Sequence, residues 1–137
     1  MTAPQHRRDL LIVACAVSAG IHAALVRGHF REGIALGAGF VVATVALAAC
    51  AVLLTRAPAD ARVLTGTAAL LAGLIGSYVL AVTTGLPLLH PQPEPVDGLA
   101  LGTKAVEALG LGLAFHLFRR GRSFWLVALP PSRERLS

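Results

Sequence analysis

Four apolar runs, residues 10–26, 34–54, 63 to about 84, and 99–118, divide the chain. Each approaches the roughly 20 residues that an α-helix needs to cross a ~30 Å hydrocarbon layer. The first is the shortest. Polar and turn-forming residues separate the runs. Pro58, within residues 55–62, ends one helix and turns the chain toward the next, and Pro87, Pro91, Pro93 and Pro95 make the third connection stiff and extended. Hairpin connectors of this kind predict an all-α membrane protein, a four-transmembrane-helix up-down-up-down bundle. Residues 1–122 form that transmembrane domain in this reading. Residues 123–137 form a tail, whose apolar stretch 123–129 is too short to span. With Phe124 and Trp125 close behind Arg119, Arg120 and Arg122, it is expected to lie at the membrane interface, and docking against a partner subunit is the alternative.

Composition agrees with a bilayer as solvent. Of 137 residues, 55% are hydrophobic and 14% charged, with mean hydropathy +0.72, whereas soluble domains carry about 25% charged residues. So few polar residues could not coat a water-soluble enzyme of this size. Disorder, collagen and a disulfide scaffold are excluded on the same grounds. The net charge of +5 is a topology signal. Arg7, Arg8, Arg56, Arg62, Arg119, Arg120, Arg122, Arg133 and Arg135 fall on one side of the four-helix arrangement, and Arg27 and Arg31 on the other. The positive-inside rule then places both termini in the cytoplasm of a bacterial inner membrane. The basic excess serves orientation and anionic lipid, and no nucleic-acid recognition fold accompanies it. Near the N-terminus, Arg7-Arg8 resembles a twin-arginine signal and residues 12–15 a lipoprotein box. Only five apolar residues precede Cys15, below the 7–15 of a signal h-region, so an uncleaved first helix is expected.

Within lipid, helices associate through close packing and interhelical hydrogen bonds, and small residues permit the approach. Gly33 with Gly37, Gly98 with Gly102, Gly110 with Gly112, and the Ala14, Ser18, Ala19, Gly20 face are the candidates. Internal packing is their expected use; a homo-oligomer or a larger membrane complex is the other. Cys15 and Cys50 fall at similar depth near the cytoplasmic ends of helices one and two. They are read as small apolar side chains in packing, since a disulfide does not suit a reducing compartment and further metal ligands at that level are missing.

An ionisable residue inside a bilayer is costly and marks a functional site by default. At 1.5 Å per residue, His22 lies roughly 6 Å inside the outer boundary, and Lys104 and Glu107 roughly 8 and 12 Å inside it. Lys104 and Glu107, spaced i, i+3, can neutralise each other. Ser77 and Tyr78 share that depth, so a cluster of His22, Ser77 or Tyr78, Lys104 and Glu107 is available in the outer half. One use is a structural network in which His22 caps the Lys104–Glu107 pair and fixes helices one and four together. Another is a proton or metal site on His22 and Glu107, with His29, Glu32 and His90 as further ligands and Glu94 and Asp97 completing a vestibule. The third is scattered, unpaired placement. No cofactor is firmly implied; imidazole and carboxylate suit Zn²⁺ or Cu²⁺, although Lys104 repels a cation.

The two outer connections, around His29-Phe30-Arg31-Glu32 and from His90 to Asp97, carry ligand residue types without a ligand spacing, and a solvated, proline-stiffened hairpin is the plainer reading. Bis-histidine haem ligation is disfavoured: His116 sits on the order of 13 Å from the level of His22, and His29 is expected beyond the end of helix one. His116 is read as interfacial or packed. The chain has no Gly-x-Ser-x-Gly, phosphate loop, His-Glu-x-x-His or Cys-x-x-Cys. Small four-helix drug exporters place an acid in helix one, where this chain carries His22.

The segments Gly20-Ile21-His22-Ala23-Ala24-Leu25, His29-Phe30-Arg31-Glu32, Thr83-Thr84-Gly85-Leu86-Pro87 and Pro93-Glu94-Pro95-Val96-Asp97, followed by Glu107, cover about a third of the chain. In them the chain resembles a poorly characterised group of small four-helix bacterial integral membrane proteins. The resemblance implies fold and topology and directs attention to His22, Glu32, Glu94, Asp97 and Glu107; it supplies no activity. The expected function is a non-enzymatic accessory or sensing component with an outer-leaflet polar His/Glu site. A small transporter or metal-handling protein using His22 and Glu107 is the alternative, and a membrane-anchoring redox subunit a further one.

Overall fold

The computed structural model describes residues 3–57, 60–86 and 92–127, with backbone alone for residues 4 and 121–127. Four helices follow in order: α1 (Ala3–Glu32), α2 (Ile34–Arg56), α3 (Ala61–Thr83) and α4 (Gly98–Val127). All four are long and apolar enough to cross a membrane. They pack as a ring in which α1 touches α2 and α4, and α3 touches α4 and, least closely, α2. Facing pairs fix the directions. Arg7 meets His116 and Ser18 meets Glu107 across α1 and α4, while Lys104 reaches Leu74 across α3 and α4. Neighbouring helices are therefore antiparallel, and the fold is an up-down-up-down membrane bundle.

The helices differ from the apolar runs at their ends. α1 begins at Ala3 and continues to Glu32, so it is not the shortest helix, and His29 lies on it rather than beyond its end. No proline interrupts residues 27–32, and the backbone stays hydrogen-bonded after the side chains turn polar, because a helix satisfies its own peptide groups in either solvent. Gly33 alone joins α1 to α2, its backbone extended and its N–H bonded to the His29 carbonyl at 2.9 Å. α4 runs through Val127, taking in the first residues of the segment expected at the interface. Residues 128–137 lie outside the described residues.

The bundle divides into two unlike halves. In the half holding the N-terminus of α1 and the α2–α3 connection, Leu11, Cys15, Leu47, Leu54, Leu64, Leu71 and Ala114 form a buried apolar core. Cys15 is buried and Cys50 half-buried against it, both as free thiols. Apolar side chains on the outside of the ring stay exposed, as a lipid-facing surface requires: Ile34 is 81% and Val42 66% exposed. Close approach falls on single glycines rather than on pairs. A Cβ on Gly110 would lie 3.1 Å from Leu71 and 3.4 Å from Ala14, and one on Gly37 would overlap the Phe30 ring. Gly20, Gly33, Gly98, Gly102 and Gly112 have nothing within 4 Å of that position.

At the other end, α3 stops where Gly85 takes a left-handed φ of 72°, which glycine adopts without the steric cost of a Cβ. The connection then returns over the bundle. Its Glu94 N–H donates to the Ala81 carbonyl at 3.0 Å, and the Asp97 carboxylate accepts from the Ala100 N–H at 2.8 Å, capping α4.

Candidate functional site

Among the described residues five polar side chains are buried, and three of them, Ser18, His22 and Glu107, meet at one level between α1 and α4. Ser18 and His22 are one helical turn apart, which puts them on one face. Lys104 and Glu107, three apart, likewise share a face of α4. Glu107 is fully buried and both its carboxylate oxygens are engaged. Oε2 accepts from Lys104 Nζ at 2.6 Å, and Oε1 accepts from Ser18 Oγ at 2.9 Å. Lys104 also donates to the Leu74 carbonyl at 3.3 Å, tying α4 to α3, and its Nζ stands 5.6 Å from the centre of the Tyr78 ring. His22 Nδ1 donates to the Ser18 carbonyl at 2.9 Å. A carbonyl only accepts, so Nδ1 carries the proton, and His22 Nε2 faces Glu107 Oε1 at 3.8 Å.

The expected cluster of His22, Tyr78, Lys104 and Glu107 is thus brought together, with two changes of detail. Ser18, taken from sequence as part of a small-residue face, makes the direct bond between α1 and Glu107; His22 stands beside the ion pair rather than capping it. Tyr78 contributes its ring face to Lys104, while its hydroxyl is buried without a partner. Ser77 does not join, since its hydroxyl turns back to the Leu74 carbonyl at 3.0 Å. The spacing of Ser18 four residues before His22 was the available signal.

Of the remaining candidate ligands, His29 and Glu32 make their contacts away from Glu107. His29 Nδ1 donates to the Leu25 carbonyl at 3.0 Å, and its Nε2 is 4.0 Å from Glu32, an exposed i, i+3 contact. Its ring stacks on Phe40 of α2 at 3.7 Å, and the His22 ring lies 5.4 Å from the same phenyl. His90 lies outside the described residues. Among the described residues, no three His, Cys, Asp or Glu side chains converge as a metal would need. His116 pairs with Arg7 at the opposite end of α1 and α4, as its distance from His22 in sequence leads one to expect.

Above the network lies a cavity of about 340 Å³. Lys104, His22 and Tyr78 line its inner part; Phe40, Leu36 and Ala43 of α2 and Leu74 and Ala81 of α3 form walls; Glu94 and Asp97 of the returning connection stand at its mouth. No family model matches the chain, and neither does any curated protein or solved structure. The fold and site together define a four-helix integral membrane protein with a charged network buried under a cavity in one half of the bundle.

Proposed function

We propose that this protein is a non-enzymatic accessory or sensing component of the bacterial cytoplasmic membrane, with both termini cytoplasmic and its ligand received in the outer leaflet. One observation carries the reading. Every residue lining the cavity belongs to the half of the bundle that holds Gly33 and the α3–α4 connection, while the other half is filled by the Leu11, Leu47, Leu54 and Leu71 core. A polar floor above an apolar plug supports reception from one side over conduction. The Ser18–Glu107–Lys104–His22 network supports that floor, because a satisfied buried network fixes α1, α3 and α4 in one arrangement.

A metal-handling reading has its own support in the placement of His22 Nε2, 3.8 Å from Glu107 Oε1. Against it stands Lys104, which a divalent ion on Glu107 would have to displace. Zinc titration of the protein in nanodiscs separates the two. The network reading expects Glu107→Gln to lower the melting temperature with no tight Zn²⁺ site in any form. Tight Zn²⁺ binding that vanishes in both His22→Ala and Glu107→Gln would overturn it in favour of metal handling.

A further inference from the structure

Beside the buried network, the cavity is lined by two side chains with unused hydrogen-bond donors, Tyr78 and Lys104. The Tyr78 hydroxyl is buried without a partner, although a buried phenol almost always finds one. Lys104 spends two of its three N–H donors, on Glu107 and on the Leu74 carbonyl. Both side chains line the cavity and stand against each other, ammonium over ring. Donors on an otherwise apolar chamber match a ligand group that only accepts, as a carbonyl oxygen does.

Charge narrows the ligand further. The Lys104 cation is neutralised at 2.6 Å by Glu107, so the floor presents no net charge to an ion. Glu94 and Asp97, which also line the cavity, repel anions. The rest of the lining is mainly aliphatic; the Phe40 ring stacks on His29, and the Ser77 and Thr103 hydroxyls are spent on their own helix backbone. The volume, about 340 Å³, falls at the low end of small-molecule sites, enough for a ring and not for a whole lipid. α2 and α3, which both line the cavity, are the least closely packed neighbours in the ring. A tail can leave between them into the bilayer.

We infer that the cavity binds the carbonyl-bearing ring of an uncharged, membrane-dissolved amphiphile of the quinone type, with its carbonyl oxygen accepting from Tyr78 and Lys104 and its tail passing between α2 and α3. The inference rests on the reading of this cavity as the ligand site. It is one of binding alone, with no electron transfer.

The test is equilibrium binding of 2-methyl-1,4-naphthoquinone to the full chain in nanodiscs. Wild type should saturate above the partition measured in empty nanodiscs. Tyr78→Phe keeps the ring under Lys104 and removes the hydroxyl, so it should weaken binding about tenfold, one hydrogen bond's worth. Its melting temperature without ligand should not fall, because that hydroxyl makes no bond in the protein. Gly39→Leu, which places a side chain where a Cβ meets nothing within 4 Å on the cavity wall, should abolish saturation. Gly112→Leu, on the exposed side of α4, should not change it. Equal uptake by wild type, Tyr78→Phe and Gly39→Leu would mean partition into lipid and would overturn the assignment. So would saturable binding of decanoate in place of the quinone. Either failure leaves the zinc and stability results untouched, so the ligand class and the underlying reading fail separately.

Discussion

A buried ion pair is revealed by what happens when one partner goes. Lys104→Met leaves the Glu107 carboxylate fully buried with only Ser18 as donor, and it should destabilise the bundle by about 3 kcal/mol. The double substitution Lys104→Met with Glu107→Leu removes both charges and should regain most of that loss. Ser18→Ala removes one interhelical bond and should cost about 1 kcal/mol, the scale of such bonds in membranes. Thermal melts of the four proteins in one detergent check the ranking, and a double variant no more stable than Lys104→Met would show that the pair is not coupled. His22, Lys104 and Glu107 were legible because an ionisable side chain stands out in an apolar run, and helical rise then gives its depth. Ser18 was not, because a hydroxyl in a membrane helix can satisfy itself on its own backbone, as Thr67 and Thr103 do here. Nor was Phe40: nothing in sequence separates a phenyl facing two histidines from one facing lipid.

At the level of helices, hydropathy located all four and misplaced their ends. An apolar run records the length of chain in contact with hydrocarbon, whereas a helix ends where its backbone bonding stops. In α1 those points differ by several residues at both ends, and the difference moved His29 from a loop onto a helix. Small-residue spacing was a weaker guide, since it marks where helices can approach and not where they do. Gly110 and Gly112 sit two apart on α4 and face opposite surroundings. Gly110→Leu should force α4 away from Leu71 and Ala14 and lower stability by about 1–3 kcal/mol, the usual cost of overpacking. Gly112→Leu should be neutral or mildly stabilising, because it adds a helix-favouring residue against lipid. Equal melting temperatures for the two variants would contradict the observed packing of α4 against α1 and α3.

For the whole molecule, the asymmetry of the bundle matters more than its symmetry. The closed apolar half and the half with the cavity are built from the same four helices, so what distinguishes them is where ionisable residues were spent. Arg7, Arg8, Arg56, Arg62, Arg119 and Arg120 mark one end, while His22, His29, Glu94, Asp97, Lys104 and Glu107 fall toward the other, with Arg27 and Arg31. Orientation therefore decides which leaflet and which compartment the cavity serves. Single-cysteine reporters settle it in a background in which Cys15 and Cys50 are both alanine. Gly33→Cys lies in the one-residue turn between α1 and α2, and Ala57→Cys follows α2 at the opposite end. In intact cells a membrane-impermeant maleimide should label Gly33→Cys at once and Ala57→Cys only after permeabilisation. The reverse pattern would turn the cavity toward the cytoplasm and put Arg7, Arg8, Arg56, Arg62, Arg119 and Arg120 outside. The positive-inside rule weighs against that arrangement for connections this short, so the labelling tests the charge argument and the sidedness of the site together.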